Sequence, residues 1–215
     1  MVYLKPKDLT YQVIKKKYNE FGYAFFNSAP YDLNIFGIRS ANIDQSKDKY
    51  DDFYGIAYLD QNKEEQLFIC AQTTDPGLVE LQDPSFENAK KFGTAIMAEG
   101  QWRACWTLGI MGSGNWKHPA LIQVGEIGIY RDTNRDAIMN MDKKSIQKSK
   151  YWGICNHASS LLAKVSTGKI GRYSAGCQVI DYGDDYAIAK GLWNKQIEAG
   201  IGNSFSYTLF NENKF

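Results

Sequence analysis

A chain of 215 residues is long enough for one sizeable core, and its 25 basic residues against 24 acidic leave a net charge of only +1. So even a balance argues against an electrostatic grip on nucleic acid, and no apolar run approaches the about 20 residues needed to cross a bilayer. The four cysteines, Cys70, Cys105, Cys155 and Cys177, show no C-x-x-C spacing and are too sparse for a disulfide scaffold.

The lysine-rich stretch up to Tyr18 lacks an apolar h-region. No secretion signal is read there, so synthesis in the cytoplasm is expected. Leu9, Val13, Ile14, Tyr18, Phe21 and Phe25 approximate helical spacing and predict a helix capped by Asp8 and ending near Gly22. Residues 1–30 then form a helical appendage to a main domain over 31–215.

Residues 36–38, 53–59 and 66–73 read as strands with an antiparallel start, and Asp75-Pro76-Gly77 reads as the turn after them. Residues 93–98, 104–110, 120–124 and 126–130 continue the short-strand pattern. The loop Gly112-Ser113-Gly114-Asn115 interrupts it and lacks the Lys-Ser/Thr ending of a phosphate loop. Residues 151–157 and the strand opened by Cys177 follow, then a helix over 186–199 and a last strand over 205–210. The fold class is mostly β with a few helices (β + α), sandwich or barrel-like.

The chemistry concentrates at Ser174-Ala175-Gly176-Cys177, with His157 twenty residues before the cysteine. A thiol becomes a strong nucleophile once ionised, and an imidazole is the usual group that takes its proton. Gly176 permits a sharp turn, and N–H groups around it are placed to hold an oxyanion. Cys70 lies in an apolar run and Cys105 between Trp102 and Trp106, so both read as core. Cys155 reads as packing beneath the site, with a redox pair to Cys177 as the alternative.

His157-Ala158 followed by Ser174-Ala175-Gly176-Cys177 resembles the L,D-transpeptidase (YkuD-like) signature, a His and then Ser/Thr-x-Gly-Cys. Segments 36–40, 73–77, 93–96, 130–136, 174–179 and 202–209 are similar to a divergent, phage-associated branch of that family. Ala158 stands where Gly is common, and Gln178-Val179-Ile180 replaces the usual hydrophobic-Arg sequence.

The resemblance implies a β-sandwich core flanked by an N-terminal helix and a helix near the C-terminus. It also implies thioester chemistry on peptidoglycan stem peptides, either transpeptidation or hydrolysis. Cys177 would attack, His157 would take the proton, Gly176 and Cys177 N–H groups would hold the oxyanion, and Ser174 would orient the imidazole or bind the stem. Asn156, Arg172, Tyr173 and Gln178 are the expected substrate contacts. No metal or cofactor is expected. The expected partners are the stem peptide and phage particle proteins, with action at the cell wall after release or within a particle. A non-catalytic phage structural or wall-binding protein on the same fold is the alternative.

Other features carry weaker chemistry. Asp132-x-Asn134-x-Asp136 has the odd-position oxygens of a calcium loop, but Ala137 and Lys143 stand where its Gly and Glu belong, so Asx turns are expected. His118, before Pro119, reads as an exposed loop residue and the alternative base. Lys143, Lys144, Lys148 and Lys150 read as a solvated face. Arg39, Arg131 and Arg172 are each able to hold a substrate carboxylate, with an ion pair as the plainer reading for Arg172.

Overall fold

The computed structural model describes residues 6–162 and 164–215. The chain begins with α1 (Tyr11–Glu20), capped by Thr10, whose hydroxyl accepts from Val13 N at 3.2 Å. Thr10 therefore takes the capping role that the sequence suggested for Asp8. The strands are β1 (Asn34–Arg39), β2 (Asp52–Leu59), β3 (Glu65–Thr73), β4 (Thr94–Met97), β5 (Gly100–Met111), β6 (His118–Gln123), β7 (Ile127–Asp132), β8 (Gln147–Ser149), β9 (Asn156–Ala158), β10 (Gln178–Ile180) and β11 (Phe205–Asn211). Between β3 and β4 lie two short helices, α2 (Leu78–Gln82) and α3 (Glu87–Phe92), and α4 (Gly183–Glu198) joins β10 to β11.

Eight strands close into a barrel in the order β1-β11-β5-β6-β9-β10-β3-β2, while β4, β7 and β8 form a separate antiparallel sheet. The expected sandwich core is thus corrected to a closed barrel. Closure follows from β1, which pairs antiparallel with β2 on one side and parallel with β11 on the other. The two ends of the sheet therefore meet, and the edge strands that a sandwich would leave are removed.

Alternation along β1 sorts the core. Ile35 joins one apolar cluster, while Phe36 and Ile38 join another outside it. Tyr186, Ala189, Leu192 and Trp193 of α4 enter the first cluster beside Tyr54, Ile56 and Tyr207, and Trp193 Nε1 donates to the Tyr54 hydroxyl at 3.1 Å. Tyr11, Ile14 and Tyr18 bring α1 onto the second cluster, so the N-terminal helix covers the outer wall. The small sheet docks through Trp102 of β5, whose ring lies where a Cβ on Gly128 would sit. Cys70 and Cys105 are buried, as expected.

Candidate active site

Cys177 stands at the entry to β10, the one partly exposed cysteine of the four. The turn before it is fixed by its own atoms: the Ser174 hydroxyl donates to Cys177 O at 2.8 Å and accepts from Gly176 N at 3.2 Å. Gly176 sits at φ +120°, where a Cβ would lie 2.5 Å from the Ala95 carbonyl oxygen, so only glycine fits without displacement. Gly77 N donates to Ser174 O at 2.9 Å and ties this turn to the segment after β3. Ser174 thus braces the loop. Gly176 N–H is engaged within it, whereas Cys177 N–H donates to no group among the described residues.

β9 and β10 run parallel, with Asn156 opposite Gln178 and His157 opposite Val179. Paired residues on adjacent strands point to the same side, so His157 shares a face with Val179 and, one pleat earlier, with Cys177. Asn156 and Gln178 face the other way. Gln178 Oε1 accepts from the Tyr207 hydroxyl at 2.8 Å, its Nε2 reaches Thr74 O at 3.4 Å, and Asn156 Nδ2 donates to Gln178 O at 3.0 Å. Both are wholly buried and stand apart from the thiol's surface.

His157 Nδ1 lies 2.9 Å from its neighbour's carbonyl, Ala158 O. A carbonyl only accepts, so that nitrogen carries the proton and Nε2 presents a bare lone pair. Nε2 is buried and finds no hydrogen-bond partner among the described residues. Burial, opposed by the Ala158 carbonyl and aided by nearby His118, brings the imidazole down to about 4. The ring is therefore neutral at pH 7, the form in which it accepts a proton.

The thiol itself rests against Cys155. Cys155 N donates to Cys177 Sγ at 3.4 Å, and both sulfurs reach the Gly153 carbonyl, at 3.4 Å for Cys155 and 3.7 Å for Cys177. The two titrate as a pair: the thiol–thiol hydrogen bond draws Cys155 below its ordinary value and, with burial, holds Cys177 well above. No hydrogen bond joins Cys177 to His157 among the described residues.

His118 is the residue that sequence reasoning misplaced. It is 4% exposed, opens β6, and its ring centroid lies 6.1 Å from that of His157. Its Nδ1 lies 2.8 Å from Trp116 O, which leaves its Nε2 bare as well. Half-exposed Trp116 packs on it and meets Tyr173 at 6.0 Å, so an aromatic pair lies beside His118. The signal in the sequence was an aromatic two positions upstream of a histidine that a proline and an apolar run follow.

The arginines are engaged elsewhere. Arg172 is half exposed and binds Glu80 at 3.1 Å and Asp83 at 2.8 Å, the ion pair rather than a free cation. Arg39 is fully buried between Asp75 at 2.7 Å and Glu99 at 3.4 Å, out of reach of any substrate carboxylate. Arg131 donates to Gly93 O at 2.9 Å and lies over Trp152.

In the candidate calcium loop, Asp132 accepts from Asn140 N and Asp136 from Ile138 N, and Asn134 Nδ2 bonds Asp136, which are turn-capping contacts. No group of three or more potential metal ligands is found among the described residues. A cleft of about 610 Å³ lined by Ser40, Asn42, Lys47, Lys49 and Asp51 lies apart from the thiol and is lined by no cysteine or histidine. No helix among the described residues is long and apolar enough to cross a membrane. No family model, curated protein or solved structure matches this chain.

Proposed function

We propose that the protein is a cysteine acyl-transfer enzyme whose nucleophile is Cys177 and whose base is His157, acting on peptide stems of peptidoglycan. The observation that carries this reading is a partly exposed thiol one pleat from a neutral imidazole with a bare, buried Nε2. A buried polar atom without a partner is costly, and such groups persist where chemistry uses them.

Cys177 turns from Gly153 toward His157, gives Nε2 its proton and attacks an amide carbonyl to form a tetrahedral adduct. The Cys177 N–H stabilises the oxyanion; with Gly176 N–H engaged by Ser174, one backbone donor is on hand rather than the expected two. The imidazolium then protonates the leaving amine and a thioester remains. Water resolves it by hydrolysis, an amine by transpeptidation. Trp116 and Tyr173 offer the stem an apolar wall beside His118. The choice of peptidoglycan as substrate rests on the resemblance of the His157 and Ser174–Cys177 motif.

The test incubates the protein and its Cys177→Ala variant with defined muropeptides, with and without an acceptor amine, and follows masses. Loss of a terminal residue or of a cross-link with the wild type alone supports hydrolysis, and an acceptor adduct supports transfer. Cys177→Ala should lower turnover by at least about 10³-fold. Folded wild type inert toward every stem overturns the reading in favour of a binding or structural role.

A further inference from the structure

We propose that Cys155 and Cys177 form a reversible dithiol site that reacts with a peroxide to give a disulfide. The strands place them side by side: Gln178 N donates to Cys155 O at 2.9 Å, Cys155 N donates to Cys177 Sγ at 3.4 Å, and both sulfurs converge on Gly153 O. Parallel pairing runs from Asn156 with Gln178 onward, so the two cysteines occupy the entry just before it, joined to the ladder through Gln178 N and Cys155 O. Gly153, at φ +74° with nothing within 4 Å of where a Cβ would sit, leaves that entry room to adjust. Cys155 is buried and Cys177 is reachable from solvent, the arrangement of a peroxidatic thiol backed by a resolving one.

The chemistry balances with hydrogen peroxide as the named oxidant. The Cys177 thiolate attacks one peroxide oxygen; an S–O bond forms, the O–O bond breaks, and hydroxide leaves, giving a sulfenic acid. Hydroxide removes the Cys155 proton as water. The Cys155 thiolate then attacks the Cys177 sulfur, the S–S bond forms, and the sulfenic oxygen leaves as hydroxide, which takes up the proton first lost by Cys177. Overall two thiols and one peroxide yield a disulfide and two waters. Cys70 and Cys105 serve as internal controls, since both are buried in the apolar core, whereas Cys155 and Cys177 meet at Gly153.

The site is defined by the sulfurs alone and holds whether or not Cys177 is an acyl nucleophile. Native protein is treated with a small excess of hydrogen peroxide, unfolded in N-ethylmaleimide, and weighed intact and as peptides. The expected result is a fall of about 2 Da before alkylation, two alkylated cysteines instead of four, and one linked peptide pair carrying residues 155 and 177, all reversed by dithiothreitol. Cys155→Ser and Cys155→Val, each checked for native circular dichroism, should instead carry sulfinic acid at Cys177 that dithiothreitol does not remove. Four alkylatable thiols after treatment, or sulfinic acid at Cys177 in wild type and variants alike, overturns the proposal. Because the readout is mass, a protein inert toward muropeptides that still forms the link separates the two readings.

Discussion

Two clusters of buried ionisable groups meet across the segment 73–77, and they are built on opposite terms. Around Arg39 the donors and acceptors are matched. Its Nε reaches Asp75 at 2.7 Å, Nη2 donates to Thr74 O and Met97 O, and Nη1 faces Glu99. Asp52 takes Ser40 N and Thr74 N, Gln45 donates to Asp75, and the Tyr130 hydroxyl donates to Glu99.

Around Cys177 two imidazoles keep bare Nε2 atoms and the thiol faces partly outward. Matched buried charge fixes shape, whereas unmatched buried polarity is the state a reaction or a ligand completes. The first cluster also supports the second. Thr74 O accepts from both Arg39 and Gln178, and Gly77 N holds the carbonyl of Ser174.

Removing the centre of the matched cluster is the largest break in this comparison. Arg39→Met should cost roughly 3–5 kcal/mol, because it leaves the carboxylates of Asp75 and Asp52 buried without their cation. Burial already pushes both carboxyls above their ordinary value, and Arg39 opposes that rise. Urea titration reads the loss, and adding Asp75→Asn to the variant should recover part of it. A cost below about 1 kcal/mol would mean the network does not hold the fold.

The unmatched cluster should show itself through pH. His157 has a folded value of about 4 against an ordinary 6.5, so the folded state binds fewer protons than the unfolded one between those values. Its contribution is intact above pH 6.5 and is lost as pH falls through 4, a difference of about 3 kcal/mol if the ring stays dry. Denaturant midpoints of the wild type and His157→Gln, followed from pH 7.5 to 3.5, should converge or cross as pH falls. Parallel profiles would show that His157 is not held neutral by burial.

How much of this was readable depended on range. The strands announced themselves as short apolar runs between turn residues, and the Cys177 turn through Gly176 and Ser174. Barrel closure did not, because it rests on parallel pairings between residues far apart, Ile35 with Tyr207 and His157 with Val179. α2 and α3, of five and six residues, are too short for a 3.6-residue period to emerge. His118 was misplaced for a related reason: its burial comes from Trp116 and from β9, and the second is remote in sequence. Arg39 read as able to hold a substrate carboxylate because the acids that occupy it lie 36 and 60 positions away.

Gly176→Ala tests the mechanical link between the clusters. The new Cβ would meet backbone, the Ala95 carbonyl at 2.5 Å, and the φ of +120° disfavours any side chain. A cost of about 1–3 kcal/mol is expected. The informative readout is the rate at which Cys177 reacts with iodoacetamide in folded protein. Relief of the clash moves the turn away from β4, so the rate should change severalfold, while Ala175→Gly, which adds no atom, should leave it near the wild-type value. A Gly176→Ala protein with wild-type stability and thiol reactivity would show that the turn is not clamped between Ala95 and Ser174.

Arg172→Ala sharpens the comparison from the other side and should do the least. The guanidinium is half exposed and bonds Glu80, Asp83 and Ser85, so its ion pairs work against water and salt. A stability loss under about 1 kcal/mol is expected. Glu80 is buried but keeps the Ser85 N–H and hydroxyl as donors, so it is not stranded. If Arg172 only ties α2 to the loop before Cys177, muropeptide turnover should stay within about threefold and the KM should not move. A rise in KM with unchanged kcat would instead mean that Arg172 leaves Glu80 and Asp83 for a substrate carboxylate, exchanging an internal ion pair for an external one on binding.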